Sequence, residues 1–157
     1  MKRFLFFTFI MSLFLSKVIS QEKIMLYPSG VSESNELKVD ETWRDKDFLL
    51  NISEPRMIAY PASKENNCGT AVLICPGGGY AGVSVIKEGE EFARWFNELG
   101  VSAFVLYYRM PNAHHEIPLK DAQTALSIIQ KRAKEWNINK NNIGIMGFSA
   151  GGHLAST

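Results

Sequence analysis

The chain has 157 residues, 46% of them apolar, and 17 Lys and Arg stand against 16 Asp and Glu for a formal charge of +1. This is the balance of one folded domain and excludes intrinsic disorder. No basic cluster is available to neutralise a phosphate backbone, so neither nucleic-acid binding nor a strongly acidic partner is expected.

At the N-terminus, Lys2 and Arg3 precede an apolar run from Phe4 to Leu15, with small residues near Ser20. Residues 1–20 therefore read as a secretory signal peptide. The run is about twelve residues, shorter than the roughly 20 that span a bilayer, and Lys17 interrupts its far end, so no stable membrane anchor is expected. Cleavage before Gln21 removes Lys2, Arg3 and Lys17 and leaves 14 basic against 16 acidic residues, a net charge of −2. With no cysteine at the cleavage point to carry a lipid, the mature chain is expected free in the periplasm or the medium.

Residues 21–55 are polar and carry Pro28, Gly30, Ser32 to Asn35 and the mixed charges Arg44 to Asp47, the pattern of an irregular N-terminal arm. From Met57 onward, short apolar runs alternate with amphipathic helices, as in an α/β domain with a mostly parallel sheet and flanking helices. Met57 to Tyr60 predicts a strand. Ala71 to Cys75 is a continuous apolar run between Gly69 and Pro76, as in a strand buried on both faces. Glu88 to Leu99 predicts a helix, with Glu90 and Glu91 at its N-terminal dipole, Phe92, Trp95, Phe96 and Leu99 on one face, and Gly100 as its stop.

Val101 to Tyr107 predicts the next buried strand. Pro118 opens a second helix, whose positions Leu119, Ala122, Leu126, Ile129, Ala133 and Trp136 form a core stripe. Asn137 to Asn142 is a return loop, and Ile143 to Met146 predicts a third buried strand. Cys68 and Cys75 are the two cysteines. Along one extended stretch they would lie about 23 Å apart at roughly 3.3 Å per residue, whereas a bridge needs Cα atoms within roughly 7 Å. They are not expected to pair, and Cys75 reads as a small buried apolar residue.

The last strand runs into Gly147-Phe148-Ser149-Ala150-Gly151, which fits G-x-S-x-G in the strand-to-helix setting of a nucleophile elbow. There the serine must occupy a tight turn that holds its hydroxyl clear of the backbone, and the glycines remove Cβ atoms where strand and helix meet. The plainer alternative is a glycine-rich helix start with Ser149 as its N-cap. Pro76-Gly77-Gly78-Gly79-Tyr80 follows the Ala71 to Cys75 strand, and its glycines allow backbone amides to turn inward around a developing oxyanion. Gly77, Gly79 and Gly82 also satisfy the dinucleotide-binding G-x-G-x-x-G. That fingerprint needs a helix to begin within the glycines, whereas the helical pattern here starts near Glu88.

These stretches, with Leu26-Tyr27-Pro28, Lys87-Glu88-Gly89, Phe104 to Arg109 and Pro118 to Ala122, resemble α/β-hydrolases of the carbohydrate-esterase kind, such as bacterial acetyl-xylan and feruloyl esterases. The resemblance implies an α/β-hydrolase fold, Ser149 as nucleophile, and the amides of Gly78, Gly79 and Ala150 as oxyanion donors. Pro76 departs from the histidine that related lipases often carry there, which should alter loop support more than the donors. It implies an exported esterase that removes acetyl or other small acyl groups from polysaccharide such as xylan, with no metal or organic cofactor. A peptidase or lipase on the same fold, and a non-catalytic binding protein on a hydrolase scaffold, are the rivals.

In this fold the triad order is Ser, then Asp or Glu, then His. Eight residues follow Ser149 and such a domain usually needs roughly 200 to 250, so the chain is read as the N-terminal part of a longer product, incomplete after the elbow and expected to be inactive by itself. His153, four residues after Ser149, is expected to pack or hydrogen-bond rather than act as the base. His114 and His115 read as solvated loop residues, since no third or fourth ligand stands at zinc-site spacing. Asp121 is expected to serve its helix dipole, and Arg109 to form a structural ion pair. Tyr80, beside the glycine loop, is a candidate lining residue of an acyl or sugar pocket.

Overall fold

The computed structural model describes residues 21–157; the predicted signal peptide lies outside the described residues. The main sheet has the order β1-β4-β7-β5-β8, formed by β1 (Glu22–Met25), β4 (Arg56–Tyr60), β5 (Ala71–Cys75), β7 (Ser102–Tyr107) and β8 (Ile143–Gly147). β7, β5 and β8 pair in parallel, which is the parallel half the sequence predicts, while β4 and β1 are added antiparallel on the other side.

Residues 21–55 are more ordered than an irregular arm. They supply β1 to the sheet edge, and β2 (Thr42–Trp43) and β3 (Phe48–Leu50), which join β6 (Gly82–Ser84) in a small antiparallel sheet. Strands this short carry too little alternation to be seen in the sequence; β1 and β3 are held by pairing with residues over 30 positions away, and β2 by pairing with β3.

Every residue of β5 and β7 is buried, as the sequence predicts, and the Ser102 hydroxyl within β7 accepts Ala62 N–H at 3.0 Å. Burial of side chains such as Leu73, Ile74 and Phe104 stabilises the fold by about 1.5–3 kcal/mol each. Alternation along β7 assigns its two faces to different helices. Val105 faces the turn that leads into α1 (Glu91–Glu98), so closely that a Cβ on Gly89 would come 2.7 Å from its methyl. Phe104 faces the other way, its ring 4.7 Å from that of Trp136, beyond the end of α2 (Glu116–Arg132). Helices thus cover both faces of the parallel strands. α3 (Ala150–Ser156) packs against β8, β5 and α2.

Three boundaries or faces differ from expectation. α2 begins at Glu116, so Pro118 sits inside its first turn, where its missing N–H goes unneeded. α1 is preceded by a π-helical turn over Ile86–Glu90, with Glu90 N–H bonded to Val85 C=O at 2.9 Å. Of the expected apolar face, Phe92 and Phe96 pack against the core, but Ala93 is the fully buried residue and Trp95 and Leu99 are 50% and 56% exposed. β8 is half-exposed rather than buried, because it is the sheet's edge and β5 is its one paired neighbour among the described residues. Cys68 is exposed, Cys75 is buried and both are free thiols. Burial pushes the Cys75 thiol up to about 12, so it packs as an apolar group. Among the described residues no helix is long and apolar enough to cross a membrane.

Candidate active site

Ser149 lies in the turn between β8 and α3 with φ 49° and ψ −119°, a conformation rare for a residue with a side chain. Its hydroxyl makes no capping bond to the α3 amides, so the N-cap alternative fails. The flanking glycines are set by contact. A Cβ on Gly147 would come 2.1 Å from the Gly151 carbonyl oxygen, and one on Gly151 would come 2.0 Å from that of Cys75. Strand, turn and helix therefore close to a distance at which only glycine fits, and Ser149 is left exposed at the apex.

The glycine loop leaves β5 directly beside this apex. A Cβ on Gly77 would sit 3.0 Å from the Ser149 Cβ and 2.6 Å from the Phe148 carbonyl oxygen. Gly77 N–H is already committed, donating to the Glu88 carboxylate at 2.7 Å. Its carbonyl accepts from Ser84 N–H at 2.8 Å, and the Gly78 carbonyl accepts from Ala81 N–H at 3.1 Å. The amides of Gly78 and Gly79 have no acceptor among the described residues. Ala150 opens α3, where amides lack intrahelical partners. The glycine loop and the start of α3 thus flank Ser149, with Gly77 packed against the elbow and the Gly78 and Gly79 amides unengaged. The dinucleotide reading does not hold, because Gly82 lies in β6 and helical structure begins only at Ile86.

Tyr80 ends the loop at φ 59°. Its ring meets Tyr108 edge-on at 6.1 Å between centroids, and its hydroxyl lies 2.8 Å from His153 Nδ1. Tyr108 in turn donates to the Pro76 carbonyl at 2.8 Å. Burial raises the pKa of both phenols above the ordinary tyrosine value, so they act as neutral groups. The structure thus gives His153 the hydrogen-bonding role expected for it. Among the described residues no histidine is hydrogen-bonded to the Ser149 hydroxyl. His114 lies 3.8 Å from Glu36 at the start of α2, and neither it nor His115 joins the elbow. No group of three or more His, Cys, Asp or Glu suited to a metal ion occurs among the described residues.

Arg109 forms the ion pair expected of it, and its partner is Asp121. This corrects the dipole reading of Asp121, which is fully buried and accepts from Arg109 Nη2 at 2.6 Å, from Nε at 3.0 and 3.1 Å, and from the backbone N–H at 2.9 Å. Arg109 also donates to the Glu33 carbonyl, tying residues 33–36 to the sheet.

Sequence reasoning assigned no role to Glu88 and none to Asp47. Asp47 accepts from Ser84 Oγ at 2.7 Å and from the amides of Ile86 and Lys87 at 2.7 and 2.9 Å. Burial opposes its ionisation, but these hydrogen bonds win and hold its pKa below the ordinary carboxylate value. Its partners lie about forty positions away, and no local pattern announces them.

The BD-FAE family matches residues 57–157. The chain belongs to the BD-FAE family. An acetylxylan esterase of Xylanibacter ruminicola is 43% identical over 114 residues, covering 71% of this chain and 23% of that protein. The endo-1,4-β-xylanase B of Butyrivibrio fibrisolvens is 33% identical over 127 residues, 75% of this chain and 19% of that protein. The chain therefore spans about a fifth of the length of these relatives.

Among solved structures, the acetyl ester-xyloside bifunctional hydrolase of Caldicellulosiruptor lactoaceticus superposes with a TM-score of 0.67 at 32% identity, over 90% of this chain and 47% of that one. MGS-M1, an α/β-hydrolase enzyme from a deep-sea metagenome library, gives 0.61 at 31% identity over 88% and 50%. The fold of this BD-FAE chain is that of the α/β-hydrolases, with the sheet described as far as the elbow strand and the helix that follows it.

Proposed function

We propose that this protein is a carboxylic ester hydrolase that removes acetyl or other small acyl groups from plant polysaccharide such as xylan, and that it acts after export to the periplasm or medium. One observation carries the reading. Ser149 is held at positive φ on a glycine-flanked apex, in contact range of a loop that presents unengaged amides. The similarity to an acetylxylan esterase and to an acetyl ester-xyloside hydrolase supports the substrate class.

In this mechanism Ser149 Oγ attacks the ester carbonyl carbon while a histidine takes its proton. The carbonyl oxygen becomes negative and is met by the amides of Gly78, Gly79 and Ala150. Collapse breaks the bond to the sugar oxygen, which leaves with the proton from the histidine. Water then hydrolyses the acyl-serine, releases the carboxylic acid and restores Ser149. The base and the acid that orients it are proposed to lie beyond Thr157 in the complete product, so residues 21–157 alone are inactive.

The test is release of acetate from acetylated xylan by the full-length protein, beside triglyceride and peptide substrates, with Ser149→Ala as control. Acetate release that requires Ser149 supports the esterase. Preferential cleavage of peptide or triglyceride assigns the same site to a peptidase or lipase. Polysaccharide binding with no cleavage of any substrate would instead assign a binding protein on a hydrolase scaffold.

A further inference from the structure

The site rests on a support built from outside both of its motifs. Gly77 is packed so closely against the elbow that a Cβ on it would lie 3.0 Å from the Ser149 Cβ and 2.9 Å from the Glu88 carboxylate, which accepts its N–H at 2.7 Å. Glu88 sits in the π-helical turn Ile86–Glu90, a rare geometry that is frequent at functional positions. That turn is held at both ends. Asp47 accepts the amides of Ile86 and Lys87 at its start, the Asp47 carbonyl accepts Val85 N–H at 2.8 Å, and Gly89 is pressed against Val105 near its end. A carboxylate fixed in this way sets the plane of the Pro76–Gly77 peptide, and with it the direction of the amides that follow.

We propose that Glu88 is a positioning residue for the oxyanion loop: by holding Gly77 N–H it aims the Gly78 and Gly79 amides at the oxygen of the tetrahedral intermediate. Asp47 acts one step further back by holding the turn that carries Glu88. The inference rests on the esterase reading above. Glu88 is hydrogen-bonded to Gly77 and not to Ser149, so in this role its contribution falls on the transition state and leaves ground-state binding alone. A displacement of about 1 Å at such a site costs up to about 100-fold in rate.

The experiment is steady-state kinetics on an aryl acetate with the full-length protein and its Glu88→Ala, Glu88→Gln, Glu88→Asp and Ser149→Ala variants. Glu88→Ala should lower kcat by roughly 10- to 100-fold with KM within about twofold of the parent. Glu88→Gln should restore most of kcat, because its amide oxygen still accepts Gly77 N–H. Glu88→Asp keeps the charge but is one methylene too short, so it should behave like Glu88→Ala and decides the matter if the alanine variant does not fold. Unchanged kcat in folded Glu88→Asp, or a loss confined to KM, overturns the inference. Ser149→Ala separates the two levels: activity surviving it would sink the esterase reading, whereas its loss beside an unaffected Glu88→Asp would sink only the role of Glu88.

Discussion

The Tyr80 hydroxyl and the His153 Nδ1 stand 2.8 Å apart, joining the end of the glycine loop to the helix that carries the elbow. One ring nitrogen of His153 is thereby engaged with Tyr80, and the residue braces two parts of the site. His153→Gln should lower turnover of an aryl acetate by no more than about tenfold, whereas loss of a triad base costs about 10⁴-fold or more. A drop in His153→Gln as large as that in Ser149→Ala would make His153 the base.

The glycine loop separates two adjacent positions. A Cβ on Gly78 would come 2.0 Å from the Gly82 carbonyl oxygen and 2.8 Å from the Phe48 ring, so Gly78→Ala must displace the loop. If an oxyanion donor is lost, turnover falls by roughly 10²- to 10³-fold. Gly79 has open space at its Cβ and φ of +63°, so Gly79→Ala meets only backbone strain of about 1–2 kcal/mol. Measured kcat values should rank Gly79→Ala well above Gly78→Ala, and the reverse order would mean that the loop moves in a way this geometry does not allow.

The interior ion pair makes a prediction about stability. The Arg109 and Asp121 side chains are 3% and 0% exposed, and removal of one partner leaves the other charge buried. Asp121→Asn should lower the free energy of unfolding in urea by about 3–5 kcal/mol, and replacing both residues by apolar ones should recover much of that loss. A change below about 1 kcal/mol would show that solvent reaches the pair.

Legibility in the sequence followed the range of the interactions. β5 was readable to the residue because both its faces are buried and every position from Ala71 to Cys75 is apolar. The elbow was readable because close approach of Gly147 and Gly151 leaves only one residue type possible. β1 was not, because an edge strand with two exposed residues out of four shows little alternation. The face of α1 was legible in part: Phe92 and Phe96 pack on the core as their spacing suggests, but the buried side is centred on Ala93, too small to announce itself, which leaves Trp95 and Leu99 exposed. Asp47 and Asp121 act through partners distant in sequence, and a carboxylate looks the same in a sequence whether it meets water, a helix dipole or a buried guanidinium.

Export can be tested without enzymology. The charged start, apolar run and small residues near Ser20 predict that exported protein begins near Gln21. N-terminal sequencing of protein recovered from the periplasm or medium should find that residue, and a mature chain that still begins at Met1 would reject the signal peptide.

The central claim is that Ser149 is the activated nucleophile, and a fluorophosphonate tests it most directly because it reacts with a serine served by both a base and oxyanion donors. Peptide mass spectrometry of the labelled full-length protein should place a single adduct on Ser149, and Ser149→Ala should abolish labelling. An adduct on Ser84 or Ser156, or labelling that survives Ser149→Ala, would contradict the account.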